Sequence, residues 1–147
     1  MYSTYYYLQV LDYDLQQQLR SHMASMTPLP SIYYPDYIAA NQGDRADNIL
    51  PGQDKQQHLD TIRQNIRDFK KKTGVDKVIV MWTANTERFS SIEEGLNDSA
   101  QTLLASIQAS ATEVSPSTIF AVASILEGCS YINGSPQNTC VPVCNDS

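Results

Sequence analysis

Between Asp54 and Trp82 an amphipathic stretch gives way to an unbroken apolar run, and this passage constrains the chain more than any other. Leu59, Ile62, Ile66 and Phe69 recur at intervals of three, four and three, which draws one apolar stripe along a helix. The spacing predicts a helix from Asp54 to Lys72. Lys70, Lys71 and Lys72 put positive charge where the helix dipole favours it, which makes a solvated helix end a better reading than a binding patch. Gly74, just beyond them, can take the positive φ that ends many helices. Lys77-Val78-Ile79-Val80-Met81-Trp82 is β-branched and continuous, with no polar alternation. That is the pattern of a central strand buried on both faces of a parallel sheet.

The remaining elements fall around this pair. Leu11, Leu15 and Leu19 suggest a short amphipathic helix through Gln16-Gln17-Gln18. The tyrosine-rich residues 1–10 fit no element. Thr27 to Gly52 holds four of the seven prolines (Pro28, Pro30, Pro35 and Pro51) and reads as turns and a loop, around one short strand near Tyr37-Ile38-Ala39-Ala40. Ser90 followed by Glu93 has the form of a capping box opening a helix whose buried face is Leu96, Ala100, Leu103, Leu104 and Ile107. Ser115-Pro116 announces another helix, with Ile119, Val122, Ala123 and Leu126 inward and Gly128 at its end. Ser130-Tyr131-Ile132 is a second short strand. Helix, strand, helix, helix, strand is the grammar of an α/β fold whose parallel strands are joined by right-handed helical crossovers.

Composition sets the outer limits. A chain of 147 residues is sized for one domain. No apolar run approaches the ~20 residues that span a bilayer. The opening residues lack the basic and small-residue features of a secretory signal, so the expected location is cytoplasmic, with no membrane partner. A net charge of -6 argues against a nucleic-acid partner. Cys129, Cys140 and Cys144 lack zinc-site spacing, and free thiols with no metal are expected. Neither His22 nor His58 has a Cys or Ser arranged for nucleophilic catalysis, and His58 is expected at the solvent boundary of its helix.

Open parallel sheets bind ligands beyond the carboxyl ends of their strands, where loop amides and helix N-termini converge. Both strands here end in polar loops, Thr83-Ala84-Asn85-Thr86-Glu87-Arg88 and Asn133-Gly134-Ser135. If the strands are parallel in one sheet, these loops share an edge and could hold one ligand between them. Thr, Asn and Ser offer directional donors and acceptors there, yet such residues more often simply cap turns. In Asn41-Gln42-Gly43-Asp44-Arg45-Ala46-Asp47-Asn48, Arg45 could meet a pyrophosphate or could pair with Asp44 or Asp47 in a solvated turn. The pattern alone leaves both pairs of alternatives open. No Gly-x-Gly-x-x-Gly is present.

Six stretches, in order, then carry a resemblance: Leu11-Asp12-Tyr13-Asp14-Leu15-Gln16; Ala39-Ala40-Asn41-Gln42-Gly43 with Arg45-Ala46; Trp82-Thr83-Ala84-Asn85-Thr86-Glu87-Arg88; Gly95-Leu96-Asn97-Asp98; Ser115-Pro116-Ser117-Thr118; and Ile132-Asn133-Gly134-Ser135-Pro136-Gln137-Asn138-Thr139. Together they resemble the inositol-3-phosphate synthase family over residues 11–142. The resemblance implies part of a Rossmann-type NAD-binding domain, incomplete at both ends, in a homotetrameric isomerase. That enzyme uses NAD to convert glucose 6-phosphate to inositol 3-phosphate, which feeds inositol and phospholipid synthesis. Carried over position by position, the resemblance implies NAD contacts at Ser31, Ile32, Gln42, Arg45, Thr83, Ala84, Asn85, Thr86, Gly134 and Ser135.

Residues 1–10 and 143–147 depart from the family pattern. The family's glycine-rich phosphate loop and its catalytic lysines have no counterpart here. The expectation is a fragment without turnover of its own and without catalytic residues. The competing expectation is a noncatalytic product that binds full-length synthase subunits.

Overall fold

In the computed structural model, which describes residues 12–84, 86–135 and 139–140, the predicted helix runs Lys55–Thr73 (α2). The Asp54 carboxylate accepts from the Gln57 N–H at 3.0 Å at its start. Gly74 ends it at φ 68°. Leu59, Ile62 and Ile66 are buried as their spacing requires, whereas Phe69 is 51% exposed because the packed layer ends before it. His58 departs from expectation, being only 2% exposed. Its Nε2–H donates to the Pro51 carbonyl at 3.1 Å, which leaves Nδ1 to accept from the Tyr34 hydroxyl at 2.8 Å. Two specific partners offset the cost of burying the ring.

The chain divides into two compact units, Met1–Pro30 and Ser31–Ser147. In the first, Tyr13–Ser25 forms α1, with no residue fully buried. The second opens with two short 3-10 turns, Pro35–Tyr37 and Ala40–Arg45, where a short strand was expected. Pro35 supplies the first turn, and among the described residues the pairing of this segment is a single parallel bridge between Ser31 and Ile49.

Strand β1 (Ile79–Trp82) pairs in parallel with β2 (Ser130–Asn133), Ile79 opposite Ser130 and Trp82 opposite Asn133. The crossover between them carries α3 (Ala100–Gln108) and α4 (Pro116–Leu126). The expected start of α3 at Ser90 is corrected: Ser99 is the N-cap, with Thr102 completing its capping box. Gly95, at φ 76°, cannot sit in a right-handed helix. The buried Asn97 side chain holds the preceding segment as a turn, accepting from the Glu93 N–H and donating to the Ser91 carbonyl. In α4, Ser115 caps and Pro116 takes the first position as predicted.

The core lies between α2, α3, α4 and one face of the sheet. Leu59, Ile62, Leu103, Ile107, Val114, Ile119 and Ala123 are all at most 4% exposed. Each buried Leu or Ile contributes roughly 1.5–3 kcal/mol, so this layer is the main source of stability. Trp82 packs its ring on Phe120 of α4 at 5.2 Å between centroids. The reading of β1 as a central strand buried on both faces is corrected. Ile79 and Met81 are each 61% exposed, while Trp82, which packs on Phe120 of α4, is buried.

Candidate functional site

Because β1 and β2 run parallel and in register, the loops that follow them emerge at one edge. The Gly134 N–H donates to the Trp82 carbonyl at 2.8 Å, and the Ser135 hydroxyl donates to the Ala84 carbonyl at 2.6 Å. A methyl group on Gly134 would stand 3.2 Å from the Trp82 carbonyl oxygen and 3.3 Å from Thr83 Cγ2, so the approach depends on the missing side chain.

Beside these tips lies a groove of about 240 Å³. One wall is the segment from Ser31 to Ile49, contributing Ser31, Ile32, Ile38, Gln42 and Arg45, and the other is Trp82, Ala84, Glu87 and Pro116. The first wall is fixed from below. Ser31 donates to the Asn48 carbonyl and accepts from Leu50, while Tyr34 and Tyr37 reach down to His58 and to the Thr112 carbonyl. Lys55 sits under both rings. Its ammonium donates to the carbonyls of Ala111 and Val114 at 2.6 and 2.7 Å and lies 4.7 Å from the Tyr34 ring centre. Burial pushes its pKa down to about 8, with Glu113 pulling the other way.

The second wall contains Glu87, a carboxylate only 4% exposed. It accepts from the Ser117 N–H at 3.0 Å and the Ser117 hydroxyl at 2.6 Å, at the N-terminus of α4. Burial raises its pKa and the Ser117 bonds oppose the rise. The Trp82 indole N–H is buried with no partner among the described residues.

Of the positions expected to touch a nucleotide, Ser31, Ile32, Gln42, Arg45 and Ala84 line this one groove. Thr83, Gly134 and Ser135 sit at the adjoining strand tips. Thr86 is exposed on the same loop but outside the lining, and Asn85 lies outside the described residues. Arg45 donates to Gln42 Oε1 at 3.3 Å, with no ion pair to Asp44 or Asp47 among the described residues. Glu87, Trp82 and Pro116 were not singled out as site residues. The available clue was that the helix opening at Pro116 has free N–H groups needing an acceptor, and Glu87 is the carboxylate at the tip of the preceding strand. No cluster able to hold a metal occurs among the described residues, where neither Cys129 nor Cys140 is in a disulfide.

Comparison with known proteins gives this groove its context. A family model for the NAD-binding domain of myo-inositol-1-phosphate synthase matches residues 1–147, taking in 1–10 and 143–147. The chain is 62% identical over 138 residues to inositol-3-phosphate synthase of Dictyostelium discoideum, covering 94% of this chain and 27% of that protein. It is 63% identical over 134 residues to inositol-3-phosphate synthase 1 of Bos taurus, covering 91% and 24%. It is also similar to the crystal structure of inositol-3-phosphate synthase from Caenorhabditis elegans, with a TM-score of 0.92 and 55% identity, over 96% of this chain and 28% of that one. The chain thus spans about a quarter of the length of the curated relatives it matches. With its parallel strands, helical crossover and strand-tip groove, the chain belongs to the myo-inositol-1-phosphate synthase family, whose matched domain binds NAD.

Proposed function

We propose that residues 11–142 form part of the NAD-binding domain of an inositol-3-phosphate synthase, a cytoplasmic homotetrameric isomerase that converts D-glucose 6-phosphate to 1D-myo-inositol 3-phosphate. The observation that carries this reading is the meeting of Ser31, Ile32, Gln42, Arg45 and Ala84, from three separated stretches of sequence, around one groove. No helix among the described residues is long and apolar enough to cross a membrane.

The donor set suits a dinucleotide. Arg45 is exposed at the rim and offers a planar, charged fork to a phosphate. Gln42 holds the fork at one nitrogen and leaves the others for the ligand. Ile32, Ile38, Ile49 and Trp82 give apolar walls for a flat ring, and a groove of about 240 Å³ takes part of a dinucleotide rather than all of it. Held in this groove, NAD would supply a reversible hydride acceptor, which suits an isomerisation without net redox change.

The chain as given is proposed to bind nucleotide weakly and to have no turnover by itself. The charge that develops in enolisation and ring closure needs preorganised cations. Lys55 is committed to carbonyls beneath the groove, while Lys70, Lys71 and Lys72 close α2 and Lys77 precedes β1, away from its carboxyl end. Calorimetric titration with NAD tests the binding, and an assay for inositol phosphate from glucose 6-phosphate and NAD tests the absence of turnover. No heat of binding at millimolar NAD, or measurable product, would each overturn the corresponding half of the reading. A second reading, a noncatalytic partner of full-length synthase subunits, is favoured by the exposed apolar row Ile79, Met81 and Ile132. Failure to co-purify with those subunits counts against it.

A further inference from the structure

The two strand-tip loops are joined by more than the sheet. From Ala84, a run of hydrogen bonds passes through both tips and returns to Glu87, three residues further along the same loop. The Ser135 hydroxyl donates to the Ala84 carbonyl at 2.6 Å, and the Ser135 N–H donates to Asn133 Oδ1 at 2.9 Å. Asn133 Nδ2 donates to the Thr139 hydroxyl at 3.0 Å, which donates to the Ser117 hydroxyl at 2.9 Å. Ser117 in turn donates to Glu87 Oε2 at 2.6 Å, and its N–H donates to Oε1. Side chains and backbone groups from the β1 loop, the β2 loop and the α4 N-terminus therefore form one closed circuit.

The circuit ends on two groups that can only accept, the Ala84 carbonyl and the Glu87 carboxylate. Each hydroxyl along it has one proton to donate, so Thr139 points at Ser117 only because Ser117 points at Glu87. A carboxylate can only accept, so Glu87 sets the direction of the Ser117 and Thr139 hydroxyls, while the accept-only Ala84 carbonyl sets that of Ser135. It also fills the amide-rich N-terminus of α4, a place where anions are favoured. A ligand phosphate in the same groove is left with Arg45 on the opposite wall.

We infer that Glu87 is a positioning residue: it anchors the 83–88 loop and, through Ser117, Thr139 and Asn133, the tip of β2, and so holds one wall of the groove in the shape that receives the nucleotide. This rests on the nucleotide reading of the groove given above. A residue that only stabilised the fold would serve equally well with any satisfied side chain. A positioning residue is sensitive to the number and direction of the bonds it accepts. Burial raises the pKa of Glu87 above the ordinary carboxylate value, against the Ser117 bonds, which adds a consequence for pH.

The test uses the full chain and its Glu87→Gln, Ser117→Ala and Glu127→Gln variants. NAD affinity is read by quenching of Trp82, the one tryptophan in the sequence. Amide hydrogen exchange is read without nucleotide. A carboxamide can accept only one of the two Ser117 bonds, so Glu87→Gln is expected to weaken NAD binding roughly tenfold, and Ser117→Ala by somewhat less. In both, exchange of the amides in 83–88 and 133–135 is expected to speed up. Glu127→Gln, on the far end of α4, is expected to lower thermal stability and leave affinity unchanged. Wild-type affinity is expected to fall as pH is lowered toward the ordinary carboxylate range, while that of Glu87→Gln stays flat by comparison. Tyr37 and Tyr131, which couple to Glu87, and Arg45 and Asp47, which share its groove, are common to both proteins.

Equal affinity and equal exchange in wild type and Glu87→Gln would overturn the inference and leave the nucleotide reading standing. A wild-type chain that does not bind NAD would overturn the nucleotide reading, and exchange would still decide whether Glu87 anchors both tips. Should Glu87→Gln fail to fold, Ser117→Ala and the wild-type pH profile decide: unchanged affinity with a flat profile overturns the anchor.

Discussion

The Ser135 hydroxyl and the Ala84 carbonyl meet at 2.6 Å across 51 positions of sequence, so the loops after the two parallel strands touch directly. Gly134 makes this possible, because a methyl group there would crowd the Trp82 carbonyl oxygen at 3.2 Å and Thr83 Cγ2 at 3.3 Å. Gly134 has no positive φ, so crowding rather than backbone strain is at issue. Gly134→Ala is expected to cost about 1–2 kcal/mol as the tips move apart by a few tenths of an ångström. Urea unfolding checks the cost. A variant as stable as wild type would show that the tips accommodate the methyl group freely.

Arg45 stands exposed at the groove rim with one nitrogen on Gln42. Arg45→Ala is expected to weaken NAD binding by roughly ten- to a hundredfold, the range of a charge-assisted phosphate contact, with little change in thermal stability. Arg45→Lys keeps the charge and loses the fork, and should fall between the two. Titration at low and high salt separates the effects, because the wild-type affinity should fall with salt and that of Arg45→Ala much less.

Much of this architecture is legible in the chain because local signals there coincide with tertiary ones. Asp54 and Gly74 bracket α2, Ser115-Pro116 opens α4, and the apolar run of β1 is truly a strand in a parallel pair. The misreadings share a physical cause. Ser90 and Glu93 look like a capping box only if Gly95 is overlooked and the buried Asn97 is taken for a surface residue. The burial of His58 depends on Tyr34 and Pro51, which periodicity along α2 cannot see. The groove itself unites positions 31 to 49 with 82 to 87 and 116, and no local pattern encodes that meeting. The resemblance supplied the positions. Glu87 escaped notice because its role exists only once α4 has been placed against the loop.

Lys55 is buried against three carbonyls, those of Ala111, Thr112 and Val114, under the rings of Tyr34 and Tyr37. Lys55→Met fills a similar volume but leaves those carbonyls without their donor, and is expected to destabilise the fold by about 2 kcal/mol. Its pKa is about 8 in the folded protein and about 10.4 in an unfolded chain. Between these values the unfolded chain holds more protons, so the Lys55 contribution makes stability rise with pH. Above about pH 10 the trend reverses, because burial keeps Tyr34 and Tyr37 protonated in the fold while they ionise when unfolded. Chemical unfolding between pH 7 and 10 should show the rise in wild type and its loss in Lys55→Met. An identical slope in both would remove Lys55 as its source.

Glu127 sits at the C-terminal end of α4, where a negative charge is unfavourable to the helix dipole, yet two arginines from α2 reverse the balance. Arg67 grips both carboxylate oxygens at 2.6 and 2.7 Å, and Arg63 Nε donates to one of them at 2.7 Å. The bonds to Arg67, then those to Arg63, hold the Glu127 carboxyl below its ordinary pKa. Since the Arg67 side chain is half exposed, solvent screens much of this. Glu127→Gln is expected to cost about 1 kcal/mol at pH 7 and to loosen α4 from α2. A carboxyl whose pKa is depressed by folding contributes stability that is complete above its unfolded value of about 4.3 and disappears as pH falls through the folded value. The gap between wild type and Glu127→Gln in urea unfolding should therefore narrow on going from pH 7 to pH 3. A gap of constant size would mean that the Gln side chain fails for reasons of packing, and that the two arginines contribute nothing through charge.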